Sequence, residues 1–541
     1  MFTRLLSFSV AAVLIAGCGS SSSSDLSAVD SDSVFAPGGT NTLRVLDADG
    51  REVIDGHEVG LMTLTGYDSG GQVVFGPVED KYDESVEFTG LPDSVSKVDL
   101  HYLRGQGAVL GRQTETVDFT GDKNLVEVNR IIPTSLSFNE RKTFTVRIEN
   151  KSDYPDDQVF VAVTGKNKAA TAYYYVKFGA NGSATSELFG PVSQNAQYSE
   201  KLTTLKKEGE HAYSFQCPYE NLVAGRIYLA FGQKLQGLGL NSANPLDLQE
   251  PSSTCAPDYL TLFEFMELSA TTQGDVYTLF ANTSVVDFFS MGLGMTMQST
   301  RGNETVGFVD GARDKVLAEF NATTTPSEFR TGRAFIMKGD KLLRILSPNQ
   351  ITALDASGAL ANYLNSAIDE GWTKFSSTVL NIPDNLPARQ YGFTYNGQLI
   401  TNNALTMTCT NVPTGQSGLG DVSSLPKPSS RIIFHCDDGA PPPNSWNNGG
   451  TDAHKRLCSL LSAAFNRGVF PNYPDWGNAS LFYTRSDKKY NYYAKILHQF
   501  ALEGKVYGFG YDDIYGQDPT LAEKINDVNQ VLITIPKVPV L

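Results

Sequence analysis

Histidine, cysteine and tryptophan are scarce in this sequence, with six, six and three residues among 541. The chain has no H-E-x-x-H, G-x-S-x-G or P-loop motif, so the usual signatures of zinc proteases, α/β-hydrolases and P-loop nucleotide-binding proteins are absent. The histidines are scattered, and the cysteine spacings do not match a zinc site. We therefore expect neither a metal nor an organic cofactor.

Positive charge is also in short supply. The formal net charge is −16, and no cluster of Lys and Arg interrupts the acidic surface. Such a surface repels the phosphates of nucleic acids, which excludes them as partners, and it suits a neutral ligand such as a sugar. After the N-terminal segment no run of eighteen apolar residues occurs, so the rest of the chain is expected to be soluble.

The N-terminal residues have the pattern of a bacterial secretion signal. Arg4 precedes an apolar stretch over 5–16 that is too short to span a membrane as a stable helix. Cys18 follows Ala-Gly, which resembles the lipobox of lipoproteins, where this cysteine is acylated; an ordinary signal peptide with a chance cysteine is the alternative. The sequence predicts a signal peptide over 1–17 and a lipid-anchored flexible tether over 18–40. We expect a lipoprotein of the bacterial cell envelope, in the outer membrane, or an extracellular protein.

The pattern of the residues after the tether predicts mainly β-structure. Short strand-like runs between turn signals predict an immunoglobulin-like β-sandwich over 41–132, either a spacer or a carbohydrate-binding module. A second β-region begins near residue 143 and continues to about 310. Three stretches with helical periodicity follow, over 360–375, 452–467 and 490–502, and Gly468 is the predicted stop of the second.

The cysteines after Cys18 are five in number, and the compartment is oxidising. We predict disulfides between Cys217 and Cys255 and between Cys409 and Cys436. The fifth, Cys458, lies in an apolar helical pattern and is predicted to be a buried thiol.

Acidic side chains lie in two apolar segments that are predicted to be neighbouring strands. Glu264 and Glu267 lie in 262–268, where alternation points them to opposite faces, and Asp287 lies in 282–289 after a turn. If the two strands pair, Glu264 and Asp287 lie on one face. Glycoside hydrolysis uses two carboxylates across a groove, one protonated for the leaving oxygen and one ionised for water or the sugar carbon. Ion pairs at the rim of a sheet are the structural alternative.

The same segments, Phe-Glu-Phe over 263–265 and Asn-Thr-Ser-Val-Val-Asp-Phe over 282–288, resemble paired strands of glycoside hydrolase family 64. This family comprises β-1,3-glucanases related to thaumatin-like proteins. Further stretches resemble the family in the same order along the chain, over about 138–541: 144–150, 159–165, 225–228, 344–348, 363–372, 463–468, 493–498 and 507–513.

By this resemblance, Glu264 corresponds to the family's general acid and Asp287 to its general base, in an inverting mechanism. The Thr that usually follows the acid by two residues is Met266 here, and Glu267 is a rival for the acid. The resemblance also assigns substrate-binding residues, beside the sugar and in the acidic cleft shared with thaumatin-like proteins: Ser284, Asn282, Arg226, Asp512 and Asp513.

The predicted architecture is mainly β with an α/β part: the N-terminal β-sandwich is followed by a family 64-like region over 138–541. The resemblance implies that this region combines a thaumatin-like β-barrel, about 138–310, with a mixed α/β lobe, about 311–541. The implied function is endo-type hydrolysis of β-1,3-glucan by a monomer that meets the membrane only through its lipid. The alternative is a non-catalytic β-glucan-binding surface lipoprotein on the same scaffold, because a fold alone does not give activity.

Overall fold

A computed structural model of the protein describes residues 41–47, 61–81, 85–104, 108–117, 125–130, 143–167, 169–189, 198–238, 256–273, 276–384, 393–400, 404–411, 421–436, 452–472 and 476–541. The chain divides into two compact units, of which one contains Arg141–Leu541 and the other lies within Ala12–Glu140. In these ranges no helix has the length and apolar character that a membrane crossing requires. The predicted signal peptide and tether lie outside the described residues.

The N-terminal unit is built from β-strands in its described part. One sheet has the order β4-β1-β7, with β1 parallel to β7, and the other has the order β3-β2-β5-β6. Leu43, Leu64, Phe88 and Leu100 are among its buried apolar residues. The strands are β1 (Asn41–Asp47), β2 (Leu61–Tyr67), β3 (Val73–Lys81), β4 (Ser85–Leu91), β5 (Lys97–Arg104), β6 (Ala108–Thr116) and β7 (Leu125–Arg130).

The second unit contains the remaining described strands. They are β8 (Thr143–Asn150), β9 (Val159–Lys166), β10 (Tyr173–Phe178), β11 (Ala184–Leu188), β12 (Glu200–Lys201), β13 (Lys206–Lys207), β14 (Ala212–Pro218), β15 (Val223–Phe231), β16 (Leu262–Gln273), β17 (Val276–Asn282), β18 (Phe288–Phe289), β19 (Gly294–Ser299), β20 (Gly302–Gly307), β21 (Phe335–Lys338), β22 (Lys341–Leu346), β23 (Leu380–Asp384), β24 (Phe393–Ile400), β25 (Ala404–Asn411), β26 (Val422–Pro426), β27 (Leu521–Lys524) and β28 (Val528–Ile535).

Two large sheets form the body of this unit. The first has the order β11-β10-β9-β15-β16-β17-β27, with β12 also paired to β9, and the second has the order β13-β14-β8-β28-β19-β20. Along β8 burial alternates, and Phe144, Val146 and Ile148 point to the core because successive strand residues face opposite sides. The ring of Phe178 on β10 meets that of Phe215 on β14 at 5.0 Å, so side chains of the two sheets share one core.

The mixed part of the unit holds the helices of the described residues and two smaller sheets, β18-β22-β21 and β23-β24-β25-β26. Ser347 caps one helix by accepting the N–H of Gln350 at 3.4 Å, and Asn491 caps another by accepting the N–H of Ala494 at 3.1 Å. The helices are α1 (Ala312–Asn321), α2 (Pro348–Leu354), α3 (Asn365–Lys374), α4 (Ser430–His435), α5 (Asp452–Asn466) and α6 (Tyr492–Phe500).

The three helical predictions correspond to α3, α5 and α6, and Gly468 follows α5 with φ of +73°. The last two strands of the chain do not lie in the mixed α/β lobe that was predicted for about 311–541. Strand β27 pairs with β17, and β28 runs parallel to β8 and antiparallel to β19. These last strands therefore belong to the two large sheets, because a strand's partner is set by non-local pairing that local pattern does not encode.

The cysteines differ from the predicted pairing. Among the described residues, Cys409 and Cys436 are not joined as a disulfide. Cys409 lies on β25, whereas Cys436 follows α4 and its Sγ lies 3.9 Å from the carbonyl oxygen of Cys458. Cys217 is a buried thiol, and its predicted partner Cys255 lies outside the described residues. Cys458 is buried in α5, as predicted.

Candidate active site

A row of polar side chains crosses the first large sheet. The register places Thr164 on β9 opposite Arg226 on β15, Arg226 opposite Glu267 on β16, and Glu267 opposite Asn282 on β17. Residues directly opposite each other in antiparallel strands point to the same face. The four side chains therefore form one continuous polar strip.

Arg226 and Glu267 are in contact at the centre of this strip. Arg226 Nη2 lies 3.7 Å from Glu267 Oε1, and its Nη1 donates to the hydroxyl of Tyr228 at 3.2 Å. The guanidinium also stacks 4.5 Å from the ring centre of Phe265, which fixes its orientation. The side chain of Glu267 keeps 21% of its surface exposed, so this carboxylate reaches solvent.

Glu264 lies on the opposite face of β16 and is closed off from solvent, with 2% of its surface exposed. Its Oε2 accepts the backbone N–H groups of Met291 at 3.0 Å and Gly292 at 2.9 Å, and its Oε1 accepts that of Ser290 at 3.4 Å. Burial raises the pKa of Glu264 to about 7, although these N–H groups and Arg313 act in the other direction. The pKa suits a general acid, but the carboxyl group is directed at the protein backbone.

Asp287 is half-buried and lies between β17 and β18. Its Oδ1 accepts the side-chain amide of Gln350 at 2.9 Å, and its carbonyl accepts the N–H of Ser347 at 3.0 Å. The next residue, Phe288, packs its ring 5.2 Å from Phe263 and 5.9 Å from Phe265. Alternation places these two rings on the same face of β16 as Glu267. The ring of Phe288, the residue after Asp287, therefore lies on the Glu267 side of the strand.

Asn282 and Ser284 lie on the segment that leads to Asp287. Asn282 ends β17 opposite Glu267, and within the described residues its buried Oδ1 has no hydrogen-bond partner. The buried Oγ1 of Thr164, at the other end of the strip, likewise has no hydrogen-bond partner among the described residues. Ser284 is buried and bridges to Tyr507 through the backbone.

Asp512 does not lie on this strip. It has no exposed surface, and its carboxylate accepts from Arg467 Nη2 at 2.9 Å and from the N–H of Gly508 at 2.9 Å. Its other partner is His498 Nε2, 2.8 Å away. A carboxylate enclosed in this way has no surface to offer a sugar, so the structure does not support the substrate-binding interpretation of Asp512. Asp513, the next residue, is half-buried.

Several residues near the site were not singled out from the sequence. Neither Thr164 nor Gln350 lies in a recognisable motif. The strand register places Thr164 opposite Arg226, and α2 places Gln350 next to Asp287. Tyr493 on α6 donates its hydroxyl to the carbonyl of Val285 at 2.6 Å. Burial and then the charges of Glu264 and Asp287 raise the pKa of Tyr493 well above its ordinary value, so it lies near both carboxylates.

A family model described as β-1,3-glucanase, glycoside hydrolase 64, matches residues 142–535. The chain belongs to this family. The match covers the whole of the second unit except its ends and includes every predicted site residue other than Cys18. The resemblance inferred from the sequence is therefore confirmed.

Two solved structures of family members have the same fold. A laminaripentaose-producing β-1,3-glucanase in complex with laminaritetraose has 20% sequence identity and a TM-score of 0.57, and the alignment covers 73% of this chain and 99% of that one. A family 64 β-1,3-glucanase domain from Clostridium beijerinckii has 21% identity and a TM-score of 0.55, over 73% of this chain and 98% of that one.

Two curated relatives share a shorter segment. A glucan endo-1,3-β-glucosidase of Cellulosimicrobium cellulans is 34% identical over 103 residues, which are 18% of this chain and 17% of that protein. One of Arthrobacter sp. (strain YCWD3) is 33% identical over 97 residues, 17% of this chain and 16% of that protein. The chain thus matches about a sixth of the length of these relatives.

Proposed function

We propose that this family 64 member hydrolyses internal bonds of β-1,3-glucan, with Asp287 as the general base and Glu267 as the general acid of an inverting reaction. The observation that supports the proposal is the solvent-reaching carboxylate of Glu267 on the face of β16 where Phe265 meets Phe288, the neighbour of Asp287. Family membership and the laminaritetraose complex of a protein with this fold support the substrate class.

Glu264 is the acid that the sequence resemblance suggested, and its surroundings argue for a different role. A general acid must come within hydrogen-bond reach of the leaving oxygen. Glu264 directs both oxygens to backbone N–H groups inside the protein, whereas Glu267 lies on a surface next to Arg226. Counted from Glu267, the residue two positions on is Ser269, a hydroxyl residue like the Thr that the family usually has there.

In the proposed reaction, protonated Glu267 donates to the glycosidic oxygen while ionised Asp287 removes a proton from water attacking the opposite side of the sugar. Inverting enzymes leave roughly 6.5–9.5 Å between the two carboxyl groups for this water. Gln350 donates to one oxygen of Asp287 and so fixes the orientation of the carboxylate.

The first experiment tests hydrolysis itself. The protein is incubated with laminarin and curdlan, new reducing ends are measured, and the first-formed anomer is identified by proton NMR. Inversion predicts the α-anomer as the initial product. Glucan binding without new reducing ends would instead favour the non-catalytic surface protein.

The second experiment assigns the carboxylates. Glu267→Gln and Asp287→Asn should each lower turnover on laminarin by about 10² to 10⁴, the usual contribution of general acid–base catalysis, while binding to insoluble curdlan persists. Glu304→Gln makes the same chemical change at an exposed position on β20 and serves as the control. Full activity of Glu267→Gln would contradict its assignment as the acid.

We also propose that Cys18 carries a lipid that anchors the protein in the bacterial cell envelope, in the outer membrane. The support is the lipobox-like Ile-Ala-Gly-Cys over 15–18 after a basic and then apolar start. A polar tether over 18–40 would let the enzyme reach polysaccharide at a distance from the membrane.

A further inference from the structure

The carboxylate of Glu264 is bound to three successive backbone N–H groups, those of Ser290, Met291 and Gly292. They belong to the turn between β18 and β19, which begins three residues after Asp287. Gly292 has φ of +80°, a conformation that L side chains rarely adopt, and an added Cβ would lie 3.3 Å from Phe289 and Phe308. The turn is thus built so that its N–H groups converge on one carboxylate.

Arg313 on α1 holds the same turn from the other side. Its Nη1 donates to the carbonyl of Ser290, and its Nη2 donates to the carbonyl of Leu342 at 2.5 Å. The peptide between Ser290 and Met291 therefore has its oxygen bound by Arg313 and its N–H bound by Glu264. Ser290 Oγ adds a bond to the carbonyl of Leu343 at 3.0 Å.

The chain from Asp287 to this turn has little freedom. The carbonyl of Asp287 is bound by Ser347, and Phe288 and Phe289 pair with Leu346 and Ile345 on β22. A displacement of the turn over 290–292 would therefore be transmitted to Asp287 through only two residues, Phe288 and Phe289, both of which are paired with β22. On the chain before Asp287, Tyr493 bonds the carbonyl of Val285.

We propose that Glu264 is a positioning residue, which orients the general base Asp287 by fixing the backbone of Ser290, Met291 and Gly292. The inference rests on the proposed function of Asp287. Glu264 itself does not touch the substrate. The charged and titratable groups around its carboxylate are Arg313 from α1 and Tyr493 from α6, while Glu267 lies on the other face of β16.

The variant Glu264→Gln tests this because it keeps the size of the side chain and replaces one accepting oxygen by an NH₂ group. The NH₂ group faces an N–H donor of the turn, so at least one of the three bonds is lost. We expect turnover on laminarin to fall by about 10- to 100-fold, the effect of a small misplacement of a catalytic group. Affinity for curdlan should stay unchanged, because Glu264 does not contact the substrate and the variant is expected to lower kcat only.

A second substrate separates positioning from acid catalysis. A 2,4-dinitrophenyl β-laminari-oligosaccharide has a leaving group that needs almost no protonation, so loss of the general acid has little effect on its cleavage. Glu267→Gln should then be strongly impaired on laminarin and nearly normal on the aryl substrate. Glu264→Gln should be impaired equally on both, because a misplaced base affects both reactions.

Two results would overturn the proposal: unchanged turnover of a folded Glu264→Gln variant, or recovery of its activity on the aryl substrate, which would make Glu264 an acid. If Glu264→Gln does not fold, Arg313→Gln removes the other contact to the same turn and is judged by the same two substrates. Amide hydrogen exchange at 290–292 should be faster in either folded variant. If Glu267→Gln and Asp287→Asn both retain turnover, the proposed function fails, whatever Glu264→Gln does.

Discussion

Glu264 shows how burial and hydrogen bonding compete at a single carboxyl group. Removal from water favours its neutral form, whereas three N–H donors and Arg313 favour the ionised form. Burial is the larger effect, and the pKa rises from 4.5 to about 7. A group with this pKa titrates within the working range of many enzymes even though it does not contact solvent.

This titration predicts a pH dependence of stability. Between pH 4.5 and about 7 the folded protein keeps a proton on Glu264 that the unfolded chain releases, so the free energy of unfolding falls as pH rises through this window. The full loss attributable to Glu264 is of the order of 3 kcal/mol, from 1.36 kcal/mol for each pKa unit. Below pH 4.5 this contribution is fully present.

Denaturant unfolding between pH 4 and 8 checks the prediction, by comparing the native protein with Glu264→Gln. The variant lacks the titrating group, so its free energy of unfolding should fall less steeply across the window. Parallel pH profiles for the two proteins would show that Glu264 does not titrate there. Glu304→Gln, on the exposed face of β20, should follow the native profile.

At the scale of elements, a buried ion pair joins the segment after α6 to the end of α5. Arg467 follows α5 and donates to the carboxylate of Asp512 at 2.9 Å and to the carbonyl of Ile514 at 2.6 Å. Although burial disfavours its charge, His498 and Arg467 lower the pKa of Asp512 below its ordinary value. Tyr511 and Tyr515 on this segment both have φ of +66°, which bulky residues rarely adopt without such support.

We predict that Asp512→Asn destabilises the protein by about 3–5 kcal/mol, because it leaves the buried guanidinium of Arg467 without its countercharge. Thermal and denaturant unfolding measure the effect. Asp340→Asn makes the same substitution at an exposed position between β21 and β22, and it should unfold like the native protein. Similar unfolding midpoints for the two variants would contradict a stabilising role of the pair.

The sequence predicted elements best where one periodicity extends over many residues. The helix expected over 452–467 corresponds to α5, since Leu457, Leu460, Leu461 and Phe465 repeat on one face. Strand β26 and helix α2 were not predicted, because each is short and its ends depend on neighbours distant in sequence. The predicted site assumed that 282–289 pairs with 262–268, and this was wrong: β16 pairs with β17, which ends at Asn282, whereas Phe288 and Phe289 pair with β22. The register puts Asn282 opposite Glu267.

At the scale of the whole molecule, the proposed lipid anchor decides where the enzyme acts. We predict that Cys18→Ser moves the protein from the membrane fraction to the soluble or secreted fraction, because the acyl chains attach only through that cysteine. Cell fractionation followed by immunoblotting measures the distribution. Cys458→Ser changes a buried cysteine of α5 and should leave the membrane fraction unaltered. Retention of Cys18→Ser in membranes would contradict the anchor.

The sequence by itself determined the family, the mainly β class and the pair of segments that carry the acidic residues. Family motifs and residue alternation are local properties, and Asp287 was identified from them. Only the tertiary structure decided which glutamate is buried and which reaches solvent. Alternation says that Glu264 and Glu267 point to opposite sides of β16, but the side that is buried depends on the turn over 290–292, on α1 and on the strands that pair with β16. The burial of Asp512 and the return of β27 and β28 to the large sheets depend on similar contacts between residues far apart in the chain.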